Sequence, residues 1–298
     1  MVGATVFSRY HPGALLAYFA AVLLGAMWFT HPVMLVISLV GGLVFAALLQ
    51  GLRGLGRLLR FALPLGLLAA ILNPAFSHQG VTILAWLPGG NPLTLESVWY
   101  GLAAGGLLLC CVTWFFCLNA VIPADHFLWL LGRSFPSLAL LVSMVLGFIP
   151  RFAAKLRQIQ QAQTALGQTP EPGQRLRRFR QGLHMLSIAV TWALENGVQT
   201  ADSMKSRGYG LPGRTSYRHQ PICAHDLALL GTTLALSAFV ALGTAADGIP
   251  WRYYPAVAGP LLAPGAVWVY LAYACLCAIP CYLIIKEAVS WNKYSSPA

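Results

Sequence analysis

The chain has 298 residues, of which 58% are hydrophobic and only 9% are charged, and its formal net charge is +11. Soluble domains carry about 25% charged residues, so this composition excludes an ordinary soluble protein and predicts an all-α polytopic membrane bundle. The positive charge is typical of cytoplasmic loops, where Lys and Arg collect. Since the basic segment has few aromatic residues to stack on bases, we expect no nucleic-acid partner.

Apolar runs follow one another along the chain, and most of them reach or approach the roughly 20 residues that a spanning helix needs. The run 58–72 is short and contains Pro64, so it could either cross the membrane or re-enter from one side. About six spans are predicted, at residues 13–29, 32–50, 58–72, 98–118, 227–246 and 265–285.

The distribution of basic residues favours crossing by the run 58–72. With six spans both termini are cytoplasmic, and every Lys and Arg except Arg252 lies on the cytoplasmic side, as the positive-inside rule requires. The loop 73–97 contains no Lys or Arg and is predicted to be external. If the run 58–72 failed to cross, this asymmetry would be lost.

A further apolar run, residues 135–150, is interpreted differently. If it crossed, the basic segment that follows would lie outside, so we predict a buried or interfacial helix on the cytoplasmic side. Pro136 suits its start and Pro150 its end, and Pro150 and Arg151 mark the boundary of the basic segment. The predicted domains are a four-span bundle (1–134), cytoplasmic or interfacial coupling helices (135–218) and two C-terminal spans (219–298).

The basic segment 151–218 must lie in water beside the bilayer, because a charged segment of this length cannot lie in lipid. Residues 151–166 are predicted to be helical, and residues 167–173 contain the Gly and Pro that break the helix. A second helix is predicted over residues 174–209, ended by Gly208, Gly210 and Pro212.

Arg207 therefore lies at the end of that second helix, near the negative end of its dipole. An arginine at a helix end can pair its guanidinium with a carboxylate of a partner protein. The charged residues before it, Glu195, Asp202 and Lys205, are interpreted as a solvated helix face.

Several enzymatic and transport mechanisms are disfavoured by what the sequence lacks. It contains no Gly-Lys-Ser or Gly-Lys-Thr, so it is not an ATPase of the P-loop type. Its Cys and His residues show no metal-ligand spacing, and we expect neither a metal site nor a cofactor. The predicted spans are nearly free of charge, which disfavours a proton-coupled transporter.

Small residues recur at a spacing of four in two of the spans. Gly101 and Gly105 form one such pattern, and Ala17, Ala21 and Gly25 form another. Small residues let helices approach closely in lipid. We interpret both patterns as packing within the chain, with docking of a second membrane subunit as the alternative.

Short motifs throughout the chain resemble one family, the transmembrane (T) component of energy-coupling factor transporters of the CbiQ/EcfT-like type. These transporters are ABC importers that use a separate substrate-binding membrane subunit. The motifs are His11-Pro12, Asn73-Pro74 with His78-Gln79-Gly80, Leu93-Thr94-Leu95-Glu96, Phe148-Ile149-Pro150-Arg151-Phe152 and Met204-Lys205-Ser206-Arg207-Gly208-Tyr209-Gly210.

The resemblance implies a non-catalytic subunit in the inner membrane of a prokaryote. It implies two cytoplasmic ABC ATPase partners, which would bind the ATP, and a small substrate-binding membrane protein, the S component. The family carries two Ala/Ser-Arg-Gly motifs at the tips of coupling helices, and their arginines bind the ATPases.

The second family motif corresponds here to Ser206-Arg207-Gly208, followed by Tyr209. The first would fall at Ala165-Leu166-Gly167, where Leu166 stands in place of the family's arginine. This departure weakens the first docking point or shifts it to a neighbour such as Arg157.

An alternative function from another class is a stand-alone channel or a lipid-interacting membrane enzyme. In that case the basic segment would hold anionic membrane lipid, to which cytoplasmic clusters of Lys and Arg are attracted. The run Arg175-Leu176-Arg177-Arg178-Phe179-Arg180 would suit this role by itself.

Overall fold

The computed structural model describes residues 7, 10–77, 80–86, 92–123, 132, 135–167, 175–211, 222–246, 251–260 and 266–294. Most of this described chain lies in seven helices, which confirms the predicted all-α polytopic membrane fold. Some residues of the sequence argument, namely His78, Gln79, the helix-breaking residues 168–173 and Pro212, lie outside the described part.

The elements occur in the following order along the chain: α1 Pro12–Trp28, α2 Pro32–Phe76, β1 Ile83–Trp86, β2 Pro92–Thr94, α3 Leu95–Val121, α4 Pro136–Ala165, α5 Arg175–Ser206, α6 Ala224–Ala246 and α7 Val267–Tyr294. Among the described helices, α2, α3, α4, α6 and α7 are long and apolar enough to cross a membrane, and α1 is shorter. The chain forms two compact units, residues 1–126 with 220–298, and residues 127–219.

Helix α2 consists of two arms that meet at Gly51. This glycine has φ 69° and ψ −178°, which is not helical, whereas the residues on either side continue the helix. Such a conformation is open almost only to glycine, because a Cβ would clash with the backbone. The sequence runs 32–50 and 58–72 therefore lie on different arms.

The first arm of α2 runs in the same direction as α3. The Leu35 carbonyl accepts a hydrogen bond from Cys110 Sγ at 3.4 Å, and the indole nitrogen of Trp114 donates to Ser38 Oγ at 3.0 Å. The residue numbers of the contacts therefore rise together along the first arm and α3, as they do in parallel helices. Ser38 and Trp114 are both fully buried.

The second arm of α2 packs against α3 as well, but it runs antiparallel to α3. A Cβ added to Gly105 would lie 2.5 Å from the Gly66 carbonyl oxygen, and one added to Gly101 would lie 2.6 Å from the Ala70 carbonyl oxygen. Contacts thus move backward along α3 as the second arm advances. The chain reverses at Gly51, as crossing by the run 58–72 requires, and the predicted internal packing of Gly101 and Gly105 is confirmed.

Aromatic side chains from several helices fill the core of the first unit. Trp114 of α3 packs against Phe19 of α1 and Phe45 of α2, with ring centroids 6.4 and 6.1 Å apart. The Tyr18 hydroxyl donates to the Leu276 carbonyl of α7 at 3.0 Å. The buried aromatic cluster therefore joins the helices before the coupling segment to a helix after it.

A short antiparallel hairpin, β1–β2, lies in the loop that the sequence analysis left without secondary structure. Glu96, in the first turn of α3, accepts hydrogen bonds from the Thr82 backbone N–H and from Thr82 Oγ1 at 2.9 Å. The carboxylate therefore fixes the loop to the start of α3. Leu-Pro-Gly-Gly-Asn-Pro, residues 87–92, is a turn signal that could have predicted the hairpin.

Helix α4 corrects one prediction. It begins at Pro136, as predicted, but it passes through Pro150 and ends at Ala165. Proline removes one intrahelical hydrogen bond, and the helical turns on both sides of it continue. No residue of the most apolar 18-residue window is fully buried, and the helix is long and apolar enough to cross a membrane. Its predicted position, buried or interfacial on the cytoplasmic side, stays a prediction.

Replacement of Gly51 by alanine tests the reversal of α2. We expect Gly51→Ala to lower the free energy of unfolding by about 1–3 kcal/mol, because a Cβ is strained at this φ and ψ. Gly56→Ala is the matched control, since it lies in the second arm and its Cβ would meet no atom within 4 Å. Thermal unfolding in mild detergent measures both; equal midpoints for the two variants would contradict the strained turn.

A second pair of variants tests the close approach of α2 and α3. Gly105→Ala would press a methyl group against the Gly66 carbonyl, and overpacking of this kind costs about 1–3 kcal/mol. Gly106→Ala places the same methyl group in open space. We expect only Gly105→Ala to lower the unfolding midpoint in detergent. A Gly105→Ala protein as stable as Gly106→Ala would show that the helices are not in contact here.

Candidate functional site

The end of α5 is a compact C-cap built around Gly208. The Gly208 N–H donates to the Lys205 carbonyl at 3.1 Å, and the Tyr209 N–H donates to the Met204 carbonyl at 3.0 Å. Together these two bonds form a Schellman motif, which satisfies carbonyls that the last helical turn would otherwise leave without donors. Gly208 has φ +81°, the left-handed value that this motif requires and that glycine adopts without strain.

Arg207 occupies the C-cap position, directly between the last helical residue and the glycine. Its N–H still donates to the Ser203 carbonyl at 3.2 Å, so its backbone is held by the helix while its side chain is exposed. The predicted end of the helix at Gly208 is confirmed. We call residues 206–209 the second tip. Glu195, Asp202 and Lys205 are also exposed, as the interpretation of a solvated face requires.

As far as Gly167, the end of α4 has a similar backbone arrangement. The Leu166 N–H donates to the Ala162 carbonyl at 3.1 Å, and the Gly167 N–H donates to the Thr164 carbonyl at 3.0 Å. Gly167 has φ +74°. We call residues 165–167 the first tip. Leu166 therefore stands at the position that Arg207 holds in the second tip, and 70% of its surface is exposed.

Arg157 does not lie at the first tip. It is exposed, but about 13 Å of helix rise separates it from Leu166. Pro150 and Arg151 lie still further back, inside the helix rather than at a boundary between helices. The structure thus groups Ala165, Leu166 and Gly167 at one helix end and leaves the other residues predicted on α4 along its length.

The two helices that carry the tips cross at an aromatic cluster, of which the sequence analysis named Phe148 in a family motif but not Trp192. Phe148 of α4 stacks on Trp192 of α5 with ring centroids 5.8 Å apart, and Lys155 Nζ lies 5.6 Å from the centre of the Trp192 ring. A cation over an indole face is stabilising. Ala189 and Ile159 are buried in the same pair of helices.

Both tips project well beyond this crossing. From Lys155 to Leu166, α4 rises about 17 Å, and from Trp192 to Arg207, α5 rises about 22 Å. Each tip therefore lies at the end of a helix whose contact with the other helix is centred on the aromatic cluster.

The geometry of the tips can be set beside known proteins. Residues 4–217 match the family described as CbiQ, cobalt transport protein. The chain belongs to the CbiQ family. The CbiQ match covers the first unit up to α3 and both helices that carry tips.

A curated relative of this CbiQ-family chain is the energy-coupling factor transporter transmembrane protein EcfT of Bacillus selenitireducens. The two are 33% identical over 104 residues, which is 35% of this chain and 39% of the relative. The alignment thus spans well under half of that protein.

One cluster of potential ligands in the CbiQ-family chain was not expected from residue spacing. Ligand atoms of Cys223, His225 and Asp226 lie within 4.8 Å of one another at the start of α6. Asp226 is buried, and its two oxygens accept from the backbone N–H groups of His11 at 2.8 Å and Cys223 at 2.9 Å. These bonds make Asp226 a helix cap that also ties the start of α1 to α6.

Hydrogen exchange at Tyr209 tests the conformation of the second tip. An alanine in the left-handed region costs roughly 1–2 kcal/mol, so Gly208→Ala should speed exchange of the Tyr209 amide about five- to thirtyfold. Gly197→Ala, in the middle of α5, adds the same methyl group without a contact and should leave that amide unchanged. Equal exchange in the two variants would mean that the cap does not hold the tip.

Proposed function

We propose that this CbiQ-family protein is the membrane-embedded coupling subunit of an ATP-driven importer. In this role the tips of α4 and α5 dock two cytoplasmic ABC ATPase subunits, and the first unit holds a separate substrate-binding membrane protein. The observation that carries the proposal is the second tip, where a rigid glycine cap presents the exposed Arg207 at the end of a helix anchored in its middle.

The energy for transport would come from the partners. The sequence contains no P-loop motif, so this chain would neither bind ATP at such a site nor catalyse its hydrolysis. Family membership and the similarity to EcfT support the same division of labour. ATP binding would close the ATPases and thereby move the tips.

Helix α4 is suited to carry that movement toward the membrane. It is continuous from Pro136 to Ala165, a length of about 45 Å, and it joins an exposed apolar half to a polar half that ends at the first tip. Because no break separates the halves, displacement of Leu166 also displaces the apolar half. The stack of Phe148 on Trp192 would pass the same displacement to α5.

A groove in the first unit supports docking of the substrate-binding subunit. The groove has a volume of about 1040 Å³ and lies between α1 and α6. Ala17 and Ala21 line one wall, and Ser237, Ala241 and Ala245 line the other. Small residues on facing walls leave room for another transmembrane helix to approach closely.

The pattern of Ala17, Ala21 and Gly25 was interpreted as internal packing, with a docked subunit as the alternative. Gly25 does pack within the chain, since a Cβ there would lie 3.2 Å from the Tyr273 ring, whereas Ala17 and Ala21 on the wall of the groove support the alternative.

Membrane lipid is a further proposed partner, and it favours the second candidate function. An apolar stripe that repeats every three or four residues is exposed along α5, and Arg177 and Arg180 lie near its start. An amphipathic basic helix of this kind binds an anionic membrane surface. The stripe consists of Leu176, Phe179, Leu183, Leu186, Val190, Leu194 and Val198.

The charge reversal Arg207→Glu tests the coupling role. Loss of one partner of a buried, hydrogen-bonded charge pair weakens association at least about thirtyfold, so ATPase subunits should no longer co-purify from native membranes in mild detergent. Lys205→Glu is the matched control, because it makes the same charge change at an exposed site on the opposite side of α5.

Mass spectrometry of the purified complex provides the measurement. The wild-type chain and Lys205→Glu should bring down ATPase polypeptides and a small hydrophobic protein, and Arg207→Glu should lose the ATPases. A wild-type chain that purifies alone, or an Arg207→Glu complex of unchanged composition, would contradict the coupling role.

A further inference from the structure

The second arm of α2 carries three arginines near its start. Arg53, Arg57 and Arg60 are all exposed. Because a helix turns by about 100° per residue, the three side chains fall within about 60° of one another around the arm. They therefore share one face of the helix, and we call them the arginine row.

The arginine row lies opposite the face through which the arm packs against α3. The buried residues of this part of the arm are Gly54, Leu58, Ala62 and Gly66. Their common face is centred about 150° around the helix from the arginine row. Gly66 meets α3 on that face, since a Cβ there would lie 2.7 Å from Leu109. The arginine row therefore faces away from α3.

The same outward face becomes apolar beyond the arginine row. Leu67, Leu68 and Ile71 lie within about 60° of the centre of the row, and their side chains are 63%, 53% and 60% exposed. One face of a single helix thus changes from basic to apolar along its length. A phospholipid has the same order of groups, a charged head followed by acyl chains.

Within the described part of the chain, no acidic side chain pairs with the arginine row. The sequence contains no Asp or Glu before Glu96, and none of the three arginines forms an ion pair with a described residue. A guanidinium can donate two parallel hydrogen bonds to a phosphate. The negative charge that the row lacks within the chain is therefore of the kind that a lipid headgroup supplies.

The direction of the arm brings the three guanidinium groups toward one level. Arg60 lies about 10 Å further along the axis than Arg53. However, Cα–Cβ bonds in a helix tilt toward its N-terminus, and arginines in a membrane helix extend toward the polar surface. At the N-terminal end of the arm both effects act in the same direction, so the row can converge on one headgroup.

We propose that the outward face of the second arm binds an anionic phospholipid. Its phosphate pairs with the arginine row, and its acyl chains lie along Leu67, Leu68 and Ile71. Because the row begins two residues after Gly51, the bound headgroup also lies beside the reversal of α2. This site is separate from the basic start of α5, and the inference does not depend on the proposed coupling function.

Native mass spectrometry of the full chain in detergent, titrated with phosphatidylglycerol or with phosphatidylcholine of the same acyl chains, tests the site. We expect phosphatidylglycerol to bind more tightly. Arg53→Gln/Arg57→Gln should weaken its binding about thirtyfold, since each basic residue near an anionic lipid contributes about a factor of five. The matched control Arg151→Gln/Lys205→Gln removes two exposed charges from α4 and α5 and should bind like the wild-type chain.

Several outcomes overturn the inference. Equal binding of phosphatidylglycerol by the wild-type chain and Arg53→Gln/Arg57→Gln does so, as does equal affinity of the wild-type chain for the two lipids. Displacement of phosphatidylglycerol by an equal concentration of glycerol phosphate would identify a site for a free anion instead. Loss of a co-purifying protein by the variant, with lipid binding unchanged, would assign the row to a protein partner.

A second variant separates loss of the site from misfolding. Arg53→Lys/Arg57→Lys keeps the charge that orients the helix in the membrane. It should bind phosphatidylglycerol at least about fivefold more weakly than the wild-type chain, because lysine lacks the paired hydrogen bonds of a guanidinium. Its unfolding midpoint without lipid should equal that of the wild-type chain. If the glutamine variant does not fold, wild-type affinity in the lysine variant overturns the inference.

Discussion

The close approach of α3 to both arms of α2 is the constraint on which the first unit depends. Lipid is as apolar as a leucine side chain, so helices in a membrane gain little from hydrophobic burial and associate through packing and hydrogen bonds. Gly66, Gly101 and Gly105 leave no room for a side chain where the backbones meet. With α2 folded back at Gly51, α3 can pack against one arm in each direction, and the aromatic core around Trp114 then joins α1 to the same helices.

The second unit follows a different rule. Helices α4 and α5 share few buried side chains, and both expose long apolar faces. The well-defined features of the pair are the two capped helix ends and the crossing, which is formed by Phe148, Lys155 and Trp192. An arrangement with a small shared core and well-defined ends is suited to binding other molecules, because its stability does not require the exposed faces to be covered by the chain itself.

Glycine caps explain why the motifs at the two tips contain glycine at a fixed position. A side chain at the C-cap can be rigid only if the helix end beside it is satisfied, and the left-handed glycine provides this by turning two N–H groups back to the last carbonyls. The residue before the glycine is then free to vary without altering the backbone. Leu166 and Arg207 illustrate this, since the N–H of each donates to the carbonyl four residues earlier and each is followed by a glycine with positive φ.

The sequence by itself determined the membrane class, the existence and approximate bounds of most helices and the glycine stop of α5. These follow from composition and from local signals within a few residues, whereas the correspondence of Ala165-Leu166-Gly167 with Ser206-Arg207-Gly208 came from the resemblance to the transporter family. The β1–β2 hairpin carried such a signal as well, in its turn residues, but it was missed.

Only the tertiary structure placed the reversal of α2 at the single residue Gly51 and decided the passage of α4 through Pro150, the aromatic crossing of α4 and α5, and the groove beside Ala17 and Ala21. Each of these depends on which distant residue lies opposite, or on how neighbouring turns offset one lost hydrogen bond. Small residues at a spacing of four look the same in sequence in both places. In α3 they face Gly66 across a tight contact, and in α1 they line an open groove. The pattern specifies a narrow helix face but not what packs against it.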